Sequence, residues 1–208
     1  MRDLSILQFD EKTHRYFVGG RASLSVTQIL EVAGITDFSI VNKDLLDRAS
    51  KFGQAVHRAT ELHDLGTLDK SSLDEPLVPY LEAWKKFCHD EISEFLEIEV
   101  PIWSKRFSFA GKPDRVAFDK RRRLILPDIK TSRELSSSVK LQTAGYQIGW
   151  EEQESPAKIA RRVGVLLQED GNYYSEEFTD RSDKDDFIAC ARVAAFKMRN
   201  GLKGGAHV

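Results

Sequence analysis

Between Gly111 and Tyr146 the chain reads G-K-P-D-R-V, then L-P-D-I-K-T-S, then Q-T-A-G-Y. Asp114 and Asp128 offer hard oxygen ligands, the kind that Mg2+ takes at about 2.0 to 2.1 Å while keeping several of its waters. A strand carbonyl such as that of Ile129 would complete a half-shell. Lys130 follows Asp128 by two residues, so in an extended segment the two share a face while Ile129 turns into the core. A cation held there would polarise a phosphoryl oxygen and lower the pKa of a bound water, and the adjacent amine would orient or deprotonate that water. The implied chemistry is in-line attack on a phosphate ester.

The elements that must position these groups follow from periodicity. Val116 to Phe118 and Leu124 to Ile129 are short apolar runs flanking the charged stretch Asp119 to Arg123, the pattern of a β-hairpin. Asp114 would open its first strand and Asp128 close its second, which brings both carboxylates to one end of a sheet. The segment near Ser138 to Glu151 reads as a helix, on which Gln142 and Tyr146 stand at i and i+4 and share a face. Gly53 and His57 repeat that spacing within a helix expected from about Asn42 to His63, and Glu61 lies one turn beyond. Each piece alone has a plainer reading. D-x-K on a strand is close to chance in a chain this charged and can be a solvated strand end. A helical histidine is commonly a surface or satisfied core residue, Tyr146 can be core with its hydroxyl bonded, and Gln142 a solvated helix residue. Glu99, on the apolar-alternating stretch from Phe95 to Trp103, reads first as an ordinary strand residue, with an inward carboxylate as the alternative.

Taken together, Gly111-Lys112-Pro113-Asp114, Asp128-Ile129-Lys130 and Gln142-Thr143-Ala144-Gly145-Tyr146 resemble the PD-(D/E)XK nuclease superfamily, in its RecB-type branch marked by Q-x-x-x-Y. Upstream, Phe52 to His57 resembles that branch's G-x-x-x-H helix. His14 to Val18 and Ser25 to Leu30 are similar to the opening of phage and prophage members. The resemblance covers about residues 14 to 150 and departs in one respect, Asp128 standing where many members carry Glu. It implies that Asp114, Asp128, the Ile129 carbonyl and His57 hold Mg2+ or Mn2+, and that Lys130 positions the attacking water. Gln142 and Tyr146, with Thr131 and Ser132, would brace the site or touch DNA, with Glu61 and Glu99 as further candidates. The implied fold is a restriction-endonuclease-like α/β core, a central mixed β-sheet flanked by helices, with an N-terminal β-hairpin and a C-terminal strand-helix added. From periodicity alone the reading is an α/β or α+β domain with a mixed sheet.

The rest of the chain fits. With 208 residues, 41% of them hydrophobic, a single domain spanning 1 to 208 is expected, its core at about 42 to 170 and a loose tail at 201 to 208. No apolar run nears the roughly 18 residues of a membrane span, and the N-terminus lacks a signal pattern, so a cytoplasmic protein of a bacterium or phage-infected cell is expected. Cys88 and Cys190 are isolated, too few for the four-cysteine iron-sulfur cluster of some RecB-type relatives. The net charge of −2 argues against a broad polyanion-coating surface. Local bases remain at Lys120 to Arg123, at Lys158, Arg161 and Arg162, and along Arg192, Lys197, Arg199 and Lys203. Further elements are expected as a hairpin from Ile6 to Arg21 turning at Asp10 to Thr13, and a short helix from Val26 capped by Ser25 or Thr27. Asp64 to Pro79 reads as a loop beside a binding cleft, followed by a helix from Tyr80 to Glu91. Strands are expected at Phe95 to Trp103, Phe107 to Phe118, Leu124 to Lys130, Val163 to Gln168 and Tyr173 to Phe178, with a break at Pro156 and a helix from Ser182 to Asn200. The combined expectation is a metal-dependent deoxyribonuclease, foremost an exonuclease of phage or bacterial recombination, replication or repair, working with DNA and with a single-strand annealing or single-strand binding protein. The alternatives are a flap or other structure-specific endonuclease, or a non-catalytic DNA-binding module.

Overall fold

A computed structural model of the chain describes residues 6–10, 15–36, 42–153 and 157–202. The turn expected through residues 11 to 13, His14, the break at Pro156, Lys203 and nearly all of the 201 to 208 tail lie outside the described residues.

The central sheet has five strands in the order β10-β9-β8-β7-β4. These are β4 (Ile92–Ile98), β7 (Arg115–Asp119), β8 (Leu124–Lys130), β9 (Arg161–Leu167) and β10 (Tyr173–Phe178). Only β8 and β9 run parallel within it, joined by α4 (Ser138–Glu152) as the crossover helix that a parallel pair requires. Side-chain alternation along β8 splits its apolar residues between two cores. Leu124 and Leu126 pack with α4, α1 (Val26–Ala33) and α5 (Ser182–Arg199), whereas Ile125 and Ile129 meet Val56 of α2 (Lys43–Asp64) and Trp84 and Phe87 of α3 (Val78–Glu91). Ile129, Trp84 and Phe87 are completely buried, each such side chain contributing roughly 1.5 to 3 kcal/mol. The helix limits have local causes. Ser25 and Gln28 form a reciprocal capping box at the start of α1, and the Asn42 side chain accepts from the Asp44 and Leu45 amides at the start of α2.

A second mixed sheet is larger than the expected hairpin. Its order is β1-β2-β3-β6-β5, with β1 (Leu7–Asp10), β2 (Arg15–Val18), β3 (Arg21–Ser25), β5 (Ile102–Ser104) and β6 (Phe109–Gly111). Two strands expected to be continuous are therefore each cut in two. The stretch 95–103 changes sheet between β4 and β5, and 107–118 changes back between β6 and β7. Pro101 and Pro113, which cannot donate to a ladder, stand in the two breaks. Alternation alone runs on across the first break, whereas Gly111-Lys112-Pro113-Asp114 interrupts it at the second. Glu99 occupies the first crossing and Asp114 the second, and the Glu99 amide donates to the Asp114 carbonyl at 3.0 Å. Glu99 is thus no strand residue. Its φ of +52° lies in the left-handed region that side chains other than glycine enter at a cost.

Two further segments flank this frame. Residues 64–79 carry short 3-10 turns at Lys70–Ser72 and Glu75–Leu77 and pack Leu77 against the α2 and α3 side of the sheet, away from the cleft described below. The basic hairpin turn after Asp119 lies at the far end of β7 from Asp114, about 17 Å away at the usual rise per residue. There Arg122 pairs with Glu94 and Arg123 with Asp119. Among the described residues no helix is long and apolar enough to cross a membrane.

Candidate metal and phosphate site

The break between β6 and β7 fixes Asp114 from several sides. A Cβ on Gly111 would stand 2.8 Å from Tyr146 Cε1 and 3.1 Å from Val26 Cγ2, so only glycine lets the chain pass this close to α4 and α1. Past Ile125 the described pairing of β8 with β7 ends, and the Asp114 carboxylate takes over: its Oδ2 accepts from the Ile129 amide at 2.7 Å. In a strand the N–H and C=O of one residue point to the same edge. The Ile129 carbonyl is therefore directed to the Asp114 side, as a metal half-shell would need.

Arg115 anchors this corner and was not singled out by its sequence context. Completely buried, it donates to Asp64 Oδ2 at 2.7 Å, to the Asp114 carbonyl at 2.6 Å, and at 3.4 Å to Glu99 Oε1 and to Thr60 Oγ1, with its guanidinium over the Trp84 ring. It ties the end of α2 to both sheet crossings. The signal in the sequence was faint, an arginine in a strand otherwise apolar.

Helix α2 brings His57 to the same place, with Nδ1 at 3.2 Å from Asp114 Oδ1. A Cβ on Gly53 would touch Thr131 Oγ1 at 3.4 Å, an ordinary contact, so the glycine marks the approach of α2 to the end of β8 without being sterically required. Ligand atoms of His57, Glu99 and Asp114 all lie within 4.8 Å of one another. Glu99 Oε2 meanwhile pairs with Lys112 Nζ at 2.7 Å. Asp128 is completely buried beside this group, its Oδ2 against the Lys130 ammonium and its Oδ1 without a hydrogen-bond partner among the described residues. A buried carboxylate with one oxygen unpartnered is costly, and a second cation on that oxygen would offset the cost. The donor set of carboxylates, an imidazole and a strand carbonyl is of the kind that hard divalent ions accept.

The electrostatics are divided between the two aspartates. Burial works against the Asp114 charge, yet His57, Lys130 and the Ile129 amide outweigh it and hold the acid well below the usual carboxylate range. Asp128 is pushed up to about 6 by burial, with Lys130 opposing and the Asp114 charge adding to the rise. For His57 burial opposes protonation, but Asp114 prevails and raises the pKa. Lys130 is likewise raised, the pull of Asp128 and Asp114 exceeding the effect of burial.

These groups open on a cleft of about 690 Å³ walled by α2 residues from Ala49 to Glu61 on one side and by Ile129 to Ser132 and Gln142 on another. Thr131, Ser132 and Gln142 are at its surface, with Ser132 Oγ bonded to the Glu134 carbonyl at 2.7 Å. Tyr146 is buried behind it, accepting from Gln142 Nε2 at 3.1 Å, and burial drives its phenol pKa well up. Only Gln142 of that pair reaches the cleft wall. Glu61 also lines the cleft but pairs with Arg58 at 2.7 Å and stays outside the His57 group. From the N-terminal sheet, Tyr16 is buried close enough to Glu99 that burial first, and the Glu99 charge second, push its phenol up to about 12. Other basic residues are engaged elsewhere: Arg161 with Glu91, Asp119 and Glu177, Arg162 with Asp183, and Lys197 with the Val32 carbonyl.

No family model matches this chain, and no curated protein matches it in sequence. Among solved structures it is similar to the crystal structure of SSO0001, with 14% identity over 83% of this chain and 75% of that chain, at a TM-score of 0.41. It is also similar to a protein from Eubacterium rectale named "Putative exonuclease", with 10% identity over 72% of this chain and 68% of that chain, at a TM-score of 0.47. Likenesses this distant leave the chemistry to be read from the site itself.

Proposed function

We propose that the protein is a divalent-metal-dependent nuclease that hydrolyses phosphodiester bonds in DNA, foremost as an exonuclease of bacterial or phage recombination, replication or repair. The observation that carries this reading is the convergence of Asp114, His57, Glu99, Ile129 and Lys130 on one cleft, with the buried Asp128 paired to the Lys130 ammonium. Asp114, Asp128, His57 and the Ile129 carbonyl would hold Mg2+ or Mn2+, with Glu99 within reach of the same ion. A cation held there would supply Lewis-acid polarisation of the phosphate and acidify a water. Lys130, kept protonated by the two aspartates, would orient the attacking water and balance charge on the phosphate. Gln142, Thr131 and Ser132 offer hydrogen bonds along the wall where the strand would lie, and Tyr146 braces Gln142 from behind.

The test is digestion of end-labelled single-stranded, blunt and overhanging DNA and of closed circles, in Mg2+, Mn2+ or EDTA. The expected result is metal-dependent cleavage of linear DNA, abolished in Lys130→Ala and Asp114→Asn. Cleavage that survives EDTA or both substitutions defeats the metal mechanism. Attack on closed circles replaces the exonuclease with an endonuclease of the same site, and binding without cleavage replaces it with a DNA-binding module.

A further inference from the structure

Lys112 is a group that the catalytic scheme leaves unused. It stands on the break between β6 and β7, two residues before Asp114, and lines the cleft. Its backbone has little freedom, because Gly111 is pressed against Tyr146 and Val26 and residue 113 is proline. Its side chain is 39% exposed and pairs with Glu99, which is 13% exposed and whose carboxylate belongs to the His57 and Asp114 group. The other cations lining the cleft are placed differently. Arg58 points outward to Glu61 with 62% of its side chain exposed, and Lys130 lies against buried Asp128.

Building on the nuclease reading, we infer that Lys112 is a substrate-phosphate contact coupled to metal occupancy through Glu99. In the metal-free protein the ammonium neutralises Glu99. A divalent cation drawn to His57, Asp114 and Glu99 competes for the same carboxylate and releases Lys112, which then pairs with a phosphate of the bound strand beside the metal. The exchange is open to Lys112 because its side chain is 39% exposed and can turn to the cleft without being desolvated. The Glu99 backbone sits in the left-handed region with its amide bonded to the Asp114 carbonyl, and its carboxylate lies between Arg115 on Oε1 and Lys112 on Oε2. Metal and DNA therefore reinforce each other's binding, and by linkage the effect is reciprocal.

The experiment is fluorescence anisotropy of fluorescein-labelled single-stranded and duplex oligonucleotides, in EDTA and in Ca2+, over a range of KCl concentrations. Ca2+ takes the same oxygen ligands and serves as the probe cation. For the wild-type protein, Ca2+ is expected to tighten binding and to steepen the log-log salt slope by about 0.7 to 0.9, the signature of one added phosphate contact. Lys112→Gln is expected to lose that steepening while binding Mn2+ several-fold more tightly by calorimetry, because the competitor of the metal is gone. Lys112→Arg retains the steepening. Glu99→Gln shows the steep slope already in EDTA, and adding Lys112→Gln to it removes the gain. Melting curves of all variants establish that they are folded. A Lys112→Gln protein with the wild-type slope and the wild-type response to Ca2+ overturns the assignment. Wild-type protein that binds no DNA in Ca2+ overturns the nuclease reading itself, so the two failures are told apart.

Discussion

Replacing Asp128 with asparagine should stabilise the metal-free protein and abolish its stabilisation by metal. The carboxyl is completely buried, has only the Lys130 ammonium as partner, leaves Oδ1 without a hydrogen bond, and has its pKa raised from 3.8 to about 6. That gap of about two pH units corresponds to a destabilisation of about 3 kcal/mol once the acid is fully ionised. Because the folded value lies above the unfolded one, the cost is absent below about pH 4, grows between pH 4 and 6, and is complete above that. Asparagine of nearly the same shape carries no such cost. The pull of Lys130 is already contained in that raised value, so the net gain is about 3 kcal/mol at pH 8. For a chain of this size the gain corresponds to a rise of about 6 to 12 °C in Tm. In saturating Mn2+ the order reverses, since a ligand at a thousand times its Kd adds about 4.1 kcal/mol to the wild-type protein and little to Asp128→Asn. The assay is thermal or urea unfolding in EDTA and in Mn2+, at pH 5 and pH 8. An asparagine variant less stable than the wild type in EDTA by the same margin at both pH values refutes the argument, because Asp128 would then be an ordinary satisfied acid.

The remaining expectations concern the frame around that acid. Arg115→Ala leaves Asp64 buried without its guanidinium and should cost about 3 to 5 kcal/mol in urea unfolding; a loss below 1 kcal/mol would show that Arg115 does not anchor the corner. Gly111→Ala forces a methyl to 2.8 Å from the Tyr146 ring, which should cost about 1 to 3 kcal/mol and weaken Mn2+ binding in calorimetry; unchanged stability and binding would contradict the close approach. His57→Ala should lower Mn2+ affinity at least tenfold with the fold intact by circular dichroism, and unchanged affinity would remove the imidazole from the ligand set. Asp119 has its pKa lowered despite burial by bonds from the Arg123 and Arg121 amides and the Arg123 and Arg161 side chains. Its contribution is therefore present above the ordinary aspartate range and lost as pH falls through the lowered value. Asp119→Asn should be less stable than the wild type at pH 7, the difference closing in acid; a gap independent of pH would contradict the assignment.

Asp114, Asp128, Lys130, His57 and the Gln142 and Tyr146 pair could be singled out from the chain because local rules govern them. Strand alternation sets Asp128 and Lys130 on one face, a hairpin returns Asp114 to Asp128, and helical periodicity aligns Gly53 with His57 and Gln142 with Tyr146. The helices α2 to α5 and the strands β8 to β10 follow the same rules, and their expected limits lie within a few residues of the observed ones. What the sequence concealed lies at the two crossings between sheets. Alternation continues through Glu99, and only Pro101 and the Gly111-Lys112-Pro113-Asp114 interruption mark the breaks, without showing that each stretch divides between two sheets. Glu99 consequently reads as a strand residue, whereas the fold turns its carboxylate to His57 and Asp114. Arg115 reads as an exception in an apolar strand until Asp64, Thr60 and Glu99 are brought to it from positions far apart in the chain. Local periodicity thus determined which residues could do the chemistry. Only the tertiary structure decided which of them meet, because long-range pairing and burial choose the partners of a charge, and no spacing along one chain records that choice.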